Sequence, residues 1–436
     1  MNNIDLKNLE LLAPAGSPEK MKYAFHYGAD AVYAGIPDFS LRARMNAFTF
    51  DSLKKSVEYA HKSGKKFYVT LNIYAHNQHF KKLEKHIEKL SKLNIDGIIL
   101  SDPGILKLVK KYLPNVETHL STQANATNWQ AVKFWSGQGI KRVVLAREVT
   151  LKEIKEIHQK VPEVELEYFV HGAMCMSYSG RCILSKWMSG RSANLGDCSQ
   201  PCRWAYKKVK SGNKKSKNDE IKKMIVEDHQ EEFKIDLEED SSGTYFFNSK
   251  DLNLLAHLKV LAEAGVSSFK IEGRNKSVYY LVTVIRAYSR IMNYEYGEEK
   301  KSFRDALVEE NKNLNELVHR GYTEGFLLGC EPEHNFENSH NKSKYEFVGE
   351  ILEVKNKKRK MKRNNLIQAR VHNAIYADDK IEVINKSGNY SVKILNIYNE
   401  KMEKVKSAHG GHKELYYLEI NKKNIESMSL LRKEVD

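Results

Sequence analysis

Four of the five cysteines lie close together in the chain, with the spacing Cys-x6-Cys-x15-Cys-x3-Cys. They are Cys175, Cys182, Cys198 and Cys202. Four thiolates can complete the coordination of a metal ion or an iron–sulfur cluster, because thiolate is a soft, anionic ligand. The spacing lacks the paired Cys-x2-Cys knuckles of zinc ribbons. It therefore favours an iron–sulfur cluster, with structural zinc and free or paired cysteines as the alternatives.

A histidine and a fifth cysteine stand outside this cluster. His171 ends an apolar run and precedes Cys175 by four residues. A histidine there can deliver a proton or bind substrate beside the cluster, or it can hydrogen-bond a neighbouring loop in a structural role. We predict the functional role for His171. Cys330 stands alone in a different segment, and we predict that it is a buried small hydrophobe.

Short apolar runs alternate with charged, amphipathic stretches from residue 11 to residue 274. Eight runs are strand candidates: residues 11–13, 31–34, 67–71, 97–100, 118–121, 143–146, 166–170 and 268–272. Most stretches between them are helical in pattern; within residues 51–63, for instance, apolar residues recur at the spacing of one helix face. Eight alternations of strand and helix predict a TIM-type (β/α)8 barrel of the α/β class. A doubly wound sheet is the alternative.

Polar side chains follow the predicted strands, and in a barrel the carboxyl ends of the strands meet on one face. The predicted site residues are Asn72, Gln123, Arg147, His171, Lys270, Glu272 and Arg274, with Arg42 and Arg44 in the loop after the second strand. This set favours a polar, anionic small molecule, because Arg and Lys bind carboxylates. We predict that His171 moves protons and that Glu272 accepts a hydroxyl or pairs with an Arg. The alternative is a buried ion-pair network that only braces the barrel mouth.

The regular spacing breaks once, where about a hundred residues separate the seventh and eighth predicted strands. We predict a barrel over residues 8–300, with an insert at about 172–246 that carries the four cysteines. A helical connector over 301–342 and a small all-β, barrel-like domain over 343–436 follow. Residues 207–223 and 355–363 are rich in Lys and Arg. Each is either a solvated loop or a contact with RNA phosphates.

The chain has 436 residues and a formal net charge of +15. This basic excess favours an anionic partner such as nucleic acid. A Lys-rich surface is the alternative, since 71 basic residues accompany 56 acidic ones. No apolar run is long enough to cross a membrane, and the start of the chain lacks the pattern of a secretion signal. We therefore expect a cytoplasmic protein without membrane contact; the sequence does not indicate an oligomeric state.

Several stretches closely resemble the signature motifs of the collagenase-like peptidase family. The most specific spans residues 167–182 and reads EYFVHGAMCMSYSGRC. Others are LAPAGSPE at 12–19, YGADAVY at 27–33, HLSTQ at 119–123, VLARE at 144–148 and FKIEGR at 269–274. The resemblance runs over the whole predicted barrel and into the β domain, and within the family it is greatest to the tRNA hydroxylation proteins.

The resemblance implies an enzyme that converts the wobble uridine of certain tRNAs to 5-hydroxyuridine without molecular oxygen. It implies tRNA as the partner, prephenate as the source of the hydroxyl, and a 4Fe–4S cluster on the four cysteines. Prephenate is a dicarboxylate, which suits the cationic Arg147, Lys270 and Arg274, with Arg42 and Arg44 as further candidates. The alternative function is a collagenase-like peptidase. However, the sequence contains neither the His-Glu-x-x-His motif of zinc proteases nor the Gly-x-Ser-x-Gly motif of serine hydrolases.

Overall fold

The computed structural model of the chain describes residues 4–41, 46–175, 177–204, 206–209, 222–228, 234–239, 249–294, 302–330, 332, 340–354, 366–411, 414–422 and 425–435. Arg42, Arg44 and residues 355–363 lie outside the described residues, so the predictions made for them stay predictions. In the described part of the chain, no helix is both long and apolar enough to cross a membrane.

Strands and helices alternate along the first part of the chain. The strands are β1 (Glu10–Ala15), β2 (Ala31–Gly35), β3 (Lys66–Leu71), β4 (Gly97–Leu100), β5 (Glu117–Leu120), β6 (Arg142–Val144), β7 (Glu165–Ala173), β8 (Tyr206–Val209), β9 (Lys222–Asp228), β10 (Lys234–Glu239), β11 (Asp251–Asn253), β12 (Val266–Ile271) and β13 (Tyr322–Thr323). The α-helices are α1 (Pro18–His26), α2 (Phe50–Lys62), α3 (Asn77–Leu90), α4 (Pro103–Tyr112), α5 (Trp129–Gly137), α6 (Leu151–Lys160), α7 (Leu184–Ser189), α8 (Leu258–Glu263), α9 (Val278–Met292) and α10 (Phe303–Asn315).

Eight parallel strands close into a barrel. Strands β1 to β7 pair in sequence, and β12 pairs with both β1 and β7, which closes the ring. The predicted TIM-type barrel is therefore confirmed, and a doubly wound sheet is excluded because its two edge strands would stay unpaired. Two short strands were not predicted: β11 pairs antiparallel with β7, and β13 joins β11 outside the ring.

The barrel strands are buried on both faces, which is why they read as nearly continuous apolar runs. Leu12, Ala31, Tyr33, Tyr68 and Ile99 fill the inside of the barrel. A larger cluster packs the outside of the strands against the helices. Helix α2 shows how the sequence sets these contacts: a capping box fixes its first turn, and its apolar side chains at helical spacing are buried.

The insert contains strands at positions where the sequence predicted a loop. Strands β8, β9 and β10 form a three-stranded antiparallel sheet. The prediction of a solvated loop over residues 207–223 is therefore wrong for residues 207–209 and 222–223, which belong to β8 and β9. Residues 210–221 lie outside the described part of the chain, and contact with RNA phosphates stays a prediction. Strand β9 contains the run Met224, Ile225 and Val226, and the β-branched Ile and Val favour a strand. The strand was not predicted because this short run follows a Lys-rich stretch.

The last part of the chain is all β, as predicted. Its strands are β14 (Tyr345–Val354), β15 (Leu366–Val371), β16 (Ile375–Tyr376), β17 (Lys380–Ile384), β18 (Asn389–Tyr398), β19 (Lys404–Val405), β20 (Ser407–Ala408), β21 (Tyr416–Ile420) and β22 (Leu430–Glu434). Six of them close a small antiparallel barrel in the order β17-β22-β14-β15-β21-β18, with its own core. This domain contacts the (β/α)8 barrel, where Tyr27, just after α1, donates to the Ile384 carbonyl at 3.1 Å and Arg286 on α9 donates to the Asn385 carbonyl at 3.2 Å.

Candidate functional site

A cavity of about 150 Å³ lies at the carboxyl ends of the barrel strands. Its lining includes Tyr33, Thr70, Asn72, Gln123, Arg147, Phe169, Lys270, Glu272, Arg274 and the four cysteines of the predicted cluster. The structure thus brings together every predicted site residue that it describes, except His171. A cavity of this volume holds about one six-membered ring.

Arg274 is held rigidly at the wall of the cavity. Its Nη1 donates to Ser40 Oγ at 2.7 Å and to Thr70 Oγ1 at 3.0 Å, and its Nη2 donates to the Leu41 carbonyl at 2.5 Å. The backbone of Gly16 passes so close that a Cβ atom there would lie 2.2 Å from the Arg274 carbonyl oxygen. These contacts fix the guanidinium before any ligand arrives.

Arg147 is the cation most available to a ligand. Its guanidinium carbon lies 4.0 Å from the centroid of the Phe169 ring, a cation–π contact. Among the described residues, this guanidinium makes no hydrogen bond or ion pair. Since a guanidinium binds a carboxylate with two parallel hydrogen bonds, Arg147 suits an anionic ligand.

Lys270 also lines the cavity, but its charge is already paired. Its Nζ contacts Glu167, and both side chains are buried. Glu167 also lies 3.4 Å from Arg142, which pairs with Glu10 at 2.5 Å below the cavity floor. Burial lowers the pKa of Lys270 in spite of the adjacent carboxylate. Lys270 was predicted to bind a ligand, with a buried ion-pair network as the alternative. For this residue the structure favours the ion-pair network. Glu167 was not predicted, although a charge inside an apolar strand was a signal.

His171 does not line the cavity, so its predicted place there is wrong. The register between β7 and β12 shifts between Phe169 and His171, where Lys270 and Ile271 are consecutive partners. This β-bulge reverses the alternation of side chains and turns His171 outward. The ring, 1% exposed, packs against Tyr280, Tyr288 and Tyr322. Burial lowers the pKa of His171 to about 3, so the ring is neutral near pH 7.

The four cysteines line the cavity, and none forms a disulfide. Each is partly buried. Burial raises the pKa of Cys202 to about 11, and the charges of Cys175 and Cys198 also raise it.

Four free thiols lining one cavity are the donor set that an iron–sulfur cluster requires. No three His, Cys, Asp or Glu side chains in the described residues surround a point where a single metal ion could bind. A four-iron cluster takes one thiolate on each iron, so its ligands stand farther apart than those of one ion. Cys330, in contrast, is exposed in a surface turn after β13, and the prediction that it is buried is wrong.

Strand ends of the barrel clamp the turn between Cys175 and Cys182. Ser179 has φ 46° and ψ 31°, a left-handed conformation that is uncommon for a residue other than glycine. The Glu148 carboxylate accepts hydrogen bonds from the Ser179 N–H at 2.6 Å and hydroxyl at 2.5 Å. Gln123 Nε2 donates to the Ser179 carbonyl at 3.1 Å. Glu148 was not among the predicted site residues, although it follows Arg147 at a strand end.

A buried ion pair supports the backbone just before Cys175. Arg320 donates to Asp251 Oδ1 at 2.6 Å and to the Met174 carbonyl at 3.4 Å. Burial raises the pKa of Asp251, but the charge and hydrogen bonds of Arg320 outweigh burial and hold it below its ordinary value. Neither residue was predicted, because they meet through the short strand β11 and the connector, which carry no periodic signal.

Comparison with known proteins identifies relatives over nearly the whole chain. The model of peptidase family U32 matches residues 16–337, and that of the peptidase family U32 C-terminal domain matches residues 343–432. The tRNA hydroxylation protein P of Haemophilus influenzae is 41% identical over 432 residues, which cover 92% of each chain. The 23S rRNA 5-hydroxycytidine C2501 synthase of Escherichia coli is 36% identical over 321 residues, 73% of this chain and 43% of that protein. A collagenase of Porphyromonas gingivalis is 32% identical over 341 residues, 75% of each. The predicted resemblance to collagenase-like peptidases, and among them to tRNA hydroxylation protein P, is confirmed.

Proposed function

The chain belongs to peptidase family U32, and we propose that it is an RNA-modifying enzyme that hydroxylates the wobble uridine of tRNA at C5. The observation that carries the proposal is that four unpaired cysteines and two arginines, Arg147 and Arg274, line one ring-sized cavity. Two relatives named for the hydroxylation of tRNA and for a hydroxycytidine of rRNA support the same activity. The net charge of +15 suits a polyanionic substrate.

The proposed reaction replaces the C5–H bond of uracil with C5–OH, which oxidises the base by two electrons. Without molecular oxygen, the hydroxyl donor must be reduced by two electrons, so that its C–OH bond becomes C–H. We propose prephenate, a hydroxyl-bearing dicarboxylate, as this donor. A 4Fe–4S cluster bound by Cys175, Cys182, Cys198 and Cys202 would supply single-electron transfer.

The side chains around the cavity bind and orient the reactants. Arg147 binds one carboxylate of the donor. The guanidinium of Arg274, which is fixed in place, binds the second carboxylate and so orients the donor in the cavity. Glu272 accepts a hydrogen bond from the hydroxyl that is transferred. Gln123 is buried and its Nε2 is committed to Ser179, which leaves Oε1 without a partner in the described residues. This oxygen accepts a hydrogen bond from the ligand in the cavity.

The alternative activity is that of a peptidase, which the collagenase relative favours. A peptidase needs a nucleophile beside a general base, or a metal-bound water. The residues that the structure places around the cavity include no histidine, and His171 lies on the other side of β7. This arrangement favours hydroxylation over peptide hydrolysis.

Nucleoside analysis by mass spectrometry tests the proposal in a strain that lacks this gene and any redundant pathway. We expect 5-hydroxyuridine and its derivatives to disappear from tRNA and to return with the wild-type gene. Arg147→Ala and Cys182→Ala should not restore them. Unchanged nucleosides in the deletion strain would contradict hydroxylation, and full restoration by Cys182→Ala would indicate a non-catalytic RNA-binding scaffold.

A further inference from the structure

The segment between Cys175 and Cys198 presents large apolar side chains to solvent. Tyr178 is 54% exposed, Ile183 78% and Trp187 65%. The backbone N–H of Trp187 donates to the Ile183 carbonyl at 2.9 Å, so these two residues are one helical turn apart and share a face. We call Tyr178, Ile183 and Trp187 the aromatic lip. Three exposed, large apolar side chains within residues 178–187 mark a binding surface rather than a random feature of the exterior.

The outward direction of the lip is fixed by the opposite side of α7. Ser185 and Met188 are buried there. Ser185 Oγ donates to the Arg191 carbonyl at 2.7 Å and shares a hydrogen bond with Ser199 Oγ at 3.0 Å. The helix therefore cannot rotate to bury Trp187 without breaking these contacts.

The lip is positively charged around Arg181 and Lys186, whereas at Tyr178 the Glu148 carboxylate lies close by, bound to Ser179. Residues 177–196 contain Arg181, Lys186 and Arg191 and no acidic residue. Arg181 and Lys186 are exposed, whereas Arg191 pairs with Asp197. A surface that combines aromatic rings with unneutralised cations fits single-stranded nucleic acid, whose bases stack and whose phosphates are anionic.

The lip adjoins the cavity at Ile183. Cys182 lines the cavity and also a shallow outer groove, which Tyr74, Arg181, Ile183 and Asn194 complete. A chain that lies across Ile183 is therefore next to Cys182, which lines the cavity. Because the cavity holds about one ring, the neighbours of a target base must lie outside it.

We propose that the aromatic lip binds the unpaired nucleotides that flank the target base in an RNA loop. Their bases stack on Trp187 and Tyr178, and their phosphates contact Arg181 and Lys186. This inference rests on the RNA-hydroxylase function proposed above and names the surface that delivers the substrate to that site.

The test uses the full-length protein, purified anaerobically, and a labelled anticodon stem–loop RNA with uridine at the wobble position. Trp187→Ala should raise the Kd at least about fivefold, since loss of one stacked base costs about that much. Trp187→Phe, which keeps a ring, should bind nearly as well as the wild type. Phe134→Ala is the matched control, because Phe134 is 61% exposed on the outer helix α5; it should leave binding unchanged. Visible spectra verify that each variant has the same absorbance as the wild type.

A thermodynamic cycle distinguishes the loss of a stacking contact from a general weakening of RNA binding. Abasic nucleotides on either side of the target uridine should weaken binding to the wild type, and Trp187→Ala should then add little further loss. Fully additive losses would overturn the proposal, as would wild-type affinity of Trp187→Ala. A changed sedimentation coefficient of Trp187→Ala with unchanged RNA affinity would instead assign the lip to contact between copies of the chain. If the wild type neither binds nor hydroxylates the stem–loop, the proposed function itself fails; if it does both and Trp187→Ala does both equally well, only the lip proposal is wrong.

Discussion

Replacing Glu167 with Gln tests whether the charges under the cavity are a structural network. Lys270 is 4% exposed, and Glu167 is the carboxylate that contacts it in the described part of the chain. Glu167→Gln leaves the ammonium buried without its counter-charge, a change that typically costs about 3–5 kcal/mol. The upper end of this range agrees with the free energy of deprotonating a lysine at pH 7, which is about 4.6 kcal/mol for an ordinary pKa of about 10.4.

The loss should depend on pH. The unfolded chain keeps the Lys270 proton up to about pH 10.4, whereas the folded variant gives it up at lower pH. Between these two pKa values the unfolded state binds more protons, so the stability of the variant rises with pH. Glu167 raises the pKa of Lys270 in the wild type, against the effect of burial, so the variant loses this proton at lower pH than the wild type does. The difference from the wild type should therefore be largest near pH 7 and shrink toward pH 9.5.

Urea unfolding followed by near-ultraviolet circular dichroism at pH 7 and pH 9.5 measures this effect. The double variant Glu167→Gln/Lys270→Met removes both charges and should be more stable than Glu167→Gln alone. Lys393→Met is the control, because Lys393 and Asp378 form an exposed pair, and it should cost less than about 1 kcal/mol. A Glu167→Gln protein within about 1 kcal/mol of the wild type at both pH values would refute this reasoning.

Three further predictions concern the site. Arg147→Ala should fold with unchanged visible absorbance and lose at least about tenfold in kcat/KM for the hydroxyl donor; unchanged kinetics would mean that Arg147 does not bind substrate. Each of Cys175→Ala, Cys182→Ala, Cys198→Ala and Cys202→Ala should abolish the brown absorbance and the iron content of anaerobically purified protein, whereas Cys330→Ala should not; stoichiometric zinc without iron would contradict the cluster. His171→Gln should leave the pH profile of activity between pH 6 and pH 8 unchanged, because a pKa of about 3 keeps the ring neutral. In the wild type this depressed pKa should lower the free energy of unfolding by about 2 kcal/mol between pH 7 and pH 5, because the unfolded histidine takes up a proton there. Urea unfolding of the wild type and of His171→Gln at both pH values measures this loss.

The barrel could be predicted because each strand is a buried apolar run and each helix carries its own periodic face. The same pattern located Asn72, Arg147 and Arg274, since a residue that follows a parallel strand lies at the carboxyl face. These predictions needed no knowledge of contacts distant in sequence.

The errors come from features without a local signal. A single bulge in β7 moved His171 out of the site, and nothing in the apolar run around it distinguishes one register from another. Lys270 was predicted as a ligand because its partner, Glu167, lies 103 residues away in sequence. Asp251 and Arg320 meet across 69 residues through strands too short for periodicity.

The most direct test of the central claim is an anaerobic reaction of the purified, iron-loaded protein with unmodified tRNA and prephenate, analysed by mass spectrometry of the digested nucleosides. We predict that 5-hydroxyuridine forms at the wobble position, that it requires prephenate, and that Cys182→Ala forms none. Absence of any hydroxylated nucleoside with fully loaded protein, together with cleavage of gelatin by the same preparation, would contradict the account and favour the peptidase.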